Sequence, residues 1–308
     1  MHTPMLEVRV PASTSNLGPG FDCLGLALSL YLTCRVEARP RAGAHGLERG
    51  AGCEAWPAGG ANLLLRAFGA GAEHFGVEPG GRTFRVRSEI PVGRGLGSSG
   101  SAVIAGLALA AELSPREVED GELLRLAVAI EAHPDNTAPA LLGGCTLTVP
   151  IEGRAPVVVR QALHESLAFA VAWPDAPLDT LSARRLLPER VPFADAIENP
   201  RRLALLLEGL RSGDPELLRL GAADRLHVPY RSPRIVGAEP ALAAALESGA
   251  HLATISGSGS GLVAIAAPER ISAVAEAMTA AFHASGAGGQ ARVVQAVQTR
   301  TLARRLDM

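Results

Sequence analysis

Between Pro91 and Ser101 the chain reads PVGRGLGSSGS, then runs directly into the apolar segment Ala102–Ala111. Four glycines and three serines at a helix start leave a run of unshielded backbone amides. The first-turn amides of a helix have no intrahelical acceptor, and the helix dipole adds positive character there. That arrangement suits an anion, phosphate above all. Ser98 and Ser99 add hydroxyls for phosphate oxygens or a magnesium ion. The bland reading of the same residues is a helix start made small for close packing.

Several phosphate-binding loops compete. A Walker loop places a lysine on the β- and γ-phosphates, and a protein kinase needs one too. All 29 basic residues of this chain are arginine, which excludes both. Gly95 to Gly100 does match G-x-G-x-x-G, the dinucleotide fingerprint, but the context disagrees. The preceding TFRVRSEI alternates charged and apolar residues rather than forming a buried apolar run, and Pro91 separates it from the loop. Beyond the helix comes Ser-Pro and a second helix, not a strand ending in an acid.

The elements that must carry this loop follow from periodicity and punctuation. LEVRVPAS alternates as a half-buried strand and is expected to stop at Pro11. TSNLGPGFDCLG reads as a loop and LALSLYLTCRVEAR as a strand. ERGAGCEAWPAGG is an exposed turn region. NLLLRAFGAGAEHFG, from Asn62, has helical spacing, and RTFRVRSEI is a strand. A helix is predicted from Ser98 to Leu113, and Ser114-Pro115 is expected to cap another that runs to about Ile130. EAHPDNTAPALLGG is irregular, followed by the strand CTLTVP. IEGRAP looks like a hairpin turn and a domain boundary, dividing 1–155 from 156–308. The second half offers the strand LAFAVAWP, arginine-rich helices, HLATISGSGSGLVAIAAPE as strand, turn and strand, a helix over Arg270–Ser285, and a final strand ARVVQAV. Strands and helices interleave in both halves, so the class is α/β or α+β.

Composition bounds the partners. A chain of 308 residues suits two domains. A net charge of −2 gives no bulk attraction to nucleic acid or anionic membrane, and 4% aromatic content argues against a base-stacking platform. Cys23, Cys34, Cys53 and Cys145 show no C-x-x-C spacing, so free thiols and a reduced, cytoplasmic setting are expected. The N-terminal MHTPMLEVRVPAS lacks the pattern of a signal peptide, and Ala102–Ala111 is too short to span a bilayer.

PVGRGLGSSGSA resembles the ATP-phosphate loop of the galactokinase, homoserine kinase, mevalonate kinase and phosphomevalonate kinase (GHMP) superfamily, whose motif is P-x-x-x-G-L-G-S-S. PASTSNLGPGFDCLGLAL resembles its substrate-side motif and ISGSGSG its C-terminal glycine motif, in the family's order over almost the whole chain. SNLGPGFDCLG, EAHPDNTAPALLGG, TLSARRLLP and HVPYR are similar to the homoserine kinase branch in particular. The chain departs from the pattern at Gly100, where alanine is usual, and at Ser260, where proline is common. The absent lysine argues against the mevalonate branch.

The resemblance implies an α+β fold of two domains. The N-terminal one would be like domain 2 of ribosomal protein S5, with a left-handed βαβ unit, and the C-terminal one ferredoxin-like. It implies ATP and Mg2+, with L-homoserine phosphorylated on its side-chain hydroxyl as a step towards threonine. A homodimer is compatible with it, although oligomeric state is not readable from sequence. ATP would meet Asn62 and the loop Pro91, Val92, Gly93, Arg94, Gly95, Leu96, Gly97, Ser98, Ser99, Gly100 and Ser101. Glu131, unfavourable against the dipole at a helix C-terminus, would bind magnesium with Ser98. His133, Asp135 and Asn136 would meet the substrate, with Asn136 and His133 orienting its hydroxyl; whether Asp135 acts as a base stays open. A zwitterionic substrate needs an anion for its ammonium and cations for its carboxylate. Asp22, with Asn16 beside it, suits the first; Arg184 and Arg231 suit the second, since guanidinium binds carboxylate through two bonds. Thr180 and Gly257 complete the substrate side. The loop glycines are expected to leave room for phosphate. The alternatives are a superfamily kinase acting on a polyol, sugar or isoprenoid alcohol, and an inactive nucleotide-binding member.

Overall fold

The computed structural model describes residues 5–306. In chain order the elements are β1 (Met5–Asn16), β2 (Gly20–Glu37), β3 (Gly46–Arg49), α1 (Leu63–Phe75), β4 (Thr83–Ser88), α2 (Ser98–Glu112), α3 (Asp120–Glu131), α4 (Pro134–Leu142), β5 (Cys145–Val149) and β6 (Val157–Gln161). They continue as β7 (Ala168–Trp173), α5 (Thr180–Arg185), α6 (Phe193–Ser212), α7 (Pro215–Gly221), α8 (Val228–Arg231), α9 (Ala238–Glu247), β8 (Ala250–Ile255), β9 (Leu262–Ala266), α10 (Ile271–Ala284), β10 (Gln290–Val294) and β11 (Ala303–Leu306).

Two sheets organise them. The first runs β11-β1-β2-β4-β3, with β5 on the other part of the long β2 and β6 beside β5. The second is antiparallel, in the order β10-β7-β9-β8, and α9 and α10 pack on it over an alanine-rich core. The turn at 150–156, where the halves 1–155 and 156–308 are expected to divide, joins β5 to β6 within the first sheet. The chain's last strand, β11, also returns to that sheet to pair with β1. The overall class is α+β, as expected.

The opening hairpin corrects the sequence reading. β1 does not stop at Pro11, and TSNLGPGFDCLG is a loop only over residues 17–19. Pro11 pairs with Tyr31 and Ala12 with Leu28, so Ser29 and Leu30 form a bulge opposite the proline. A bulge is where a strand tolerates a residue that cannot donate. Three further corrections concern helices and strands. The second predicted helix starts at Asp120, because Ser114 Oγ accepts from the Arg116 amide in a turn of its own. The PDNTAPALL segment is α4 rather than irregular: Pro134 occupies the first turn, where no N–H is needed. Pro139 cannot donate to the Asp135 carbonyl, which lies so close to Gly25 that any Cβ there would stand 1.9 Å from it. β11 carries no strong alternation and was not expected. Cys53 and Trp56, within the expected exposed turn, are buried.

α2 is the axis of the first layer. Its residues Gly100–Ala110 are buried on every side, as expected of a helix apolar all round. Gly106 brings it against α1, since a Cβ there would sit 2.4 Å from the Leu64 carbonyl. The helix that presents the serine loop is therefore held rigidly by its whole length.

Candidate active site

The loop from Pro91 to Ser99 forms one wall of a cavity of about 410 Å³. Gly97 is the N-cap of α2, with φ 67° and no side-chain cap, so the amides of its first turn face outward unshielded. The three glycine-rich motifs lock together behind it. The Ser13 amide donates to the Leu96 carbonyl (3.2 Å) and the Gly257 amide to the Ser15 carbonyl (2.9 Å). The Ser256 hydroxyl lies 2.7 Å from the Gly95 carbonyl and 2.8 Å from Thr14 Oγ1. Asn16 joins first and third motifs, donating to the Gly257 carbonyl at 2.6 Å while accepting from the Asp22 amide at 2.9 Å.

This locking changes what the glycines are for. A Cβ on Gly95 would lie 2.0 Å from the Ser256 carbonyl, and one on Gly97 would lie 2.0 Å from Ser13 Oγ. The missing side chains make room for neighbouring protein, not for phosphate, and both residues have positive φ. Gly97→Val is therefore expected to lose nucleotide binding and also about 2–4 kcal/mol of stability, from left-handed strain and overpacking. Calorimetric titration beside a thermal melt on one sample measures both. An unchanged melting temperature would show that Ser13 gives way.

All the expected residues line the cavity except Gly100 and Ser101. Ser101 turns inward, donating to the Pro11 carbonyl at 2.8 Å, and Gly100 lies against Asn136 and Glu131. Arg94 lines the cavity, but its guanidinium is committed to the carbonyls of Pro174 and Asp175. Asn62 is the N-cap of α1, accepting from the Leu65 amide (3.1 Å) and donating to the Pro57 carbonyl (3.0 Å). Trp56, Pro57 and Leu63 complete that wall; their proximity depends on how the 50–62 segment folds, which no local pattern announces.

Glu131 ends α3 opposite the loop. Its carboxylate accepts from Ser99, the neighbour of the serine expected to share a magnesium ion with it, while its Oε2 is enclosed without a hydrogen-bond partner. Burial, with Asp135 nearby, pushes it up to about 7. An orphaned, desolvated carboxylate oxygen beside the Ser99 hydroxyl, with Ser98 lining the same cavity, fits a bound divalent cation. Among the described residues no three His, Cys, Asp or Glu side chains cluster to hold a metal, so phosphate oxygens and water would supply most of its ligands.

His133 is the N-cap of α4, and Asp135 and Asn136 lie in its first turn. Asn136 is fixed by β1: its Oδ1 accepts from Ser13 and its Nδ2 donates to Ser15, both at 3.0 Å. Asp135 is 3% exposed, and burial raises its pKa against a hydrogen bond from Ser15.

Arg184, on the same cavity, grips Asp22 through both oxygens, at 2.8 and 2.7 Å. The residues expected to receive the opposite ends of a zwitterion thus neutralise each other. Arg231 is 2% exposed and donates to the Gly257 carbonyl (3.3 Å) and the Ala183 carbonyl (3.4 Å). Both guanidiniums stand over the Phe21 ring, at 5.5 and 5.2 Å. Thr180, at the start of α5, meets Ser258 of the third motif at 3.3 Å.

Comparison with known proteins places the chain in a family. The model for the GHMP kinases N terminal domain matches residues 62–144, and that for the GHMP kinases C terminal matches 206–284. The chain is 41% identical over 279 residues to a homoserine kinase of Crocosphaera subtropica, covering 90% of each chain. It is 42% identical over 289 residues to a homoserine kinase of Prochlorococcus marinus, covering 93% of this chain and 91% of the other. The crystal structure of homoserine kinase from Cytophaga hutchinsonii superposes with a TM-score of 0.89 at 26% identity, over 99% of this chain and 98% of that one. The chain belongs to the homoserine kinase family of the GHMP kinases.

Proposed function

We propose that this protein transfers the γ-phosphoryl group of ATP to the side-chain hydroxyl of L-homoserine, giving ADP and O-phospho-L-homoserine on the way to threonine. The observation that carries the reading is one cavity lined both by a phosphate loop and by an acid with two arginines. Such a cavity fits a small zwitterion whose third group, a hydroxyl, points at the phosphates.

On binding, the substrate ammonium takes the place of Arg184 on Asp22, and the carboxylate takes the guanidiniums of Arg184 and Arg231. The existing ion pair is exchanged for two matching ones, so neither charge loses its partner. The amides of Gly95 to Ser99, at the positive end of α2, hold the phosphates. Ser98 and Glu131 would hold Mg2+, which supplies neutralising charge to the phosphate oxygens. Asn136 and His133 orient the hydroxyl; the Asn136 amide keeps an N–H and a lone pair beyond its two serine bonds. Phosphoryl transfer runs mostly on positioning and charge stabilisation, so proton loss from the hydroxyl can come late. Asp135, whose proton affinity burial has raised, can receive it.

The setting is the cytoplasm, in keeping with four free cysteines. Among the described residues no helix is long and apolar enough to cross a membrane. ADP release measured over a panel of amino acids, polyols, sugars and isoprenoid alcohols tests the reading. L-homoserine is expected to give the highest kcat/KM. Turnover of a neutral alcohol with none of homoserine would overturn it.

A further inference from the structure

His227 is fully buried behind the two arginines and belongs to no part of the reaction described above. Its ring stacks on Phe21, with centroids 4.9 Å apart and planes 21° from parallel. Nε2 lies 2.9 Å from the Gly18 carbonyl, and Nδ1 lies 3.4 Å from an Arg231 nitrogen. A carbonyl only accepts and a guanidinium only donates. The ring therefore carries its proton on Nε2 and offers the Nδ1 lone pair to Arg231.

The ring is itself anchored from behind. Asp224 Oδ2 accepts from the amides of His227 and Val228, each at 2.7 Å, and Asp224 Oδ1 accepts from Asn199 at 3.2 Å. Asn199 in turn accepts from the Arg225 amide at 2.8 Å. Burial lowers the pKa of His227, which favours the neutral ring that these contacts require. The two other protein acceptors on Arg231 are backbone carbonyls from two different segments. His227 is the side chain that ties this guanidinium to the first glycine turn.

We propose that His227 is a positioning residue for the substrate-carboxylate clamp, its Nδ1 holding Arg231 while its Nε2–H fixes the ring to the Gly18 carbonyl. The consequence is that α8 and the first motif move as one body, so that Arg231 and Asp22 keep their spacing. This rests on the reading of Arg231 as a ligand of the homoserine carboxylate.

Two substitutions separate the ring's two nitrogens. An asparagine side chain reaches the Nδ1 position and keeps an acceptor for Arg231, whereas a glutamine reaches the Nε2 position and keeps a donor for Gly18. His227→Asn is expected to hold the homoserine KM within about threefold of wild type. His227→Gln and His227→Phe are expected to raise it roughly tenfold or more, with kcat and the ATP KM little changed. Equal homoserine KM values for the asparagine and glutamine variants, or a larger rise with asparagine, would overturn the proposal. Histidine 15N spectra of the wild-type protein test it without any substitution. The Nε2-protonated neutral tautomer is expected, and an Nδ1-protonated ring would overturn the assignment whatever the variants do. Arg231→Leu serves as the control. If it leaves the homoserine KM unchanged, the clamp assignment itself has failed; if it raises that KM while His227→Gln does not, only the link through His227 has.

Discussion

Glu131→Gln is expected to stabilise the protein above pH 7 while lowering turnover by roughly two orders of magnitude. The two effects share one cause. Glu131 Oε2 is enclosed without a partner, and burial raises the carboxyl from 4.5 to about 7. Between those values the unfolded chain has released the proton while the folded one keeps it. The stabilising effect is thus complete below about pH 4.5 and is lost as pH rises through 7, a fall of about 3 kcal/mol. Glutamine removes the titration, so the stability of the variant should be flatter over that window. It also removes the charge that a divalent cation would use. Denaturant unfolding at pH 5 and pH 8, with and without ADP and magnesium, checks both effects. Wild-type protein at pH 8 should gain stability from magnesium in the presence of ADP, and the variant should gain much less. A variant with wild-type turnover and magnesium response would remove Glu131 from the metal site.

That result would also show where sequence reasoning reaches and where it stops. Glu131 was legible because a carboxylate at a helix C-terminus, ahead of the H-x-D-N segment, has no local reason to be there. Its hydroxyl partner was not: at a helix start Ser98 and Ser99 diverge by about 100° around the axis, and only the packing of α3 decides which one faces it. The unshielded amides at the start of α2 were legible from the glycines and serines alone, and Gly97 indeed caps that helix without a side-chain acceptor. The purpose of the loop glycines was misread, because the atoms they avoid belong to Ser13 and Ser256, which are distant in sequence. The same limit hid α4, where Pro139 argues against a helix that tertiary contacts enforce. It hid His227 and Phe21 too, since an isolated ring carries no sign of the arginines it will meet. Motifs report local chemistry, and partners more than a hundred residues away are set by topology.

The arginines show how topology ranks residues that sequence treats as equals. Arg231→Leu is expected to raise the homoserine KM on the order of a hundredfold while the ATP KM stays within about twofold. Arg184→Leu should do clearly less. Arg231 is 2% exposed, and its other partners are a histidine and two backbone carbonyls, none of them charged against it at contact distance. Without it, a bound carboxylate would be buried beside Asp22 with little water to compensate. The Arg184 side chain is 50% exposed and already paired with Asp22, so water can replace much of what it offers. Arg231→Lys should recover little, because a single ammonium cannot reproduce a planar fork held by three acceptors over the Phe21 ring. Initial rates with homoserine and ATP varied in turn separate the two KM values for each variant. An Arg184 effect equal to or larger than that of Arg231 would mean that the exposed pair, not the buried guanidinium, carries the carboxylate.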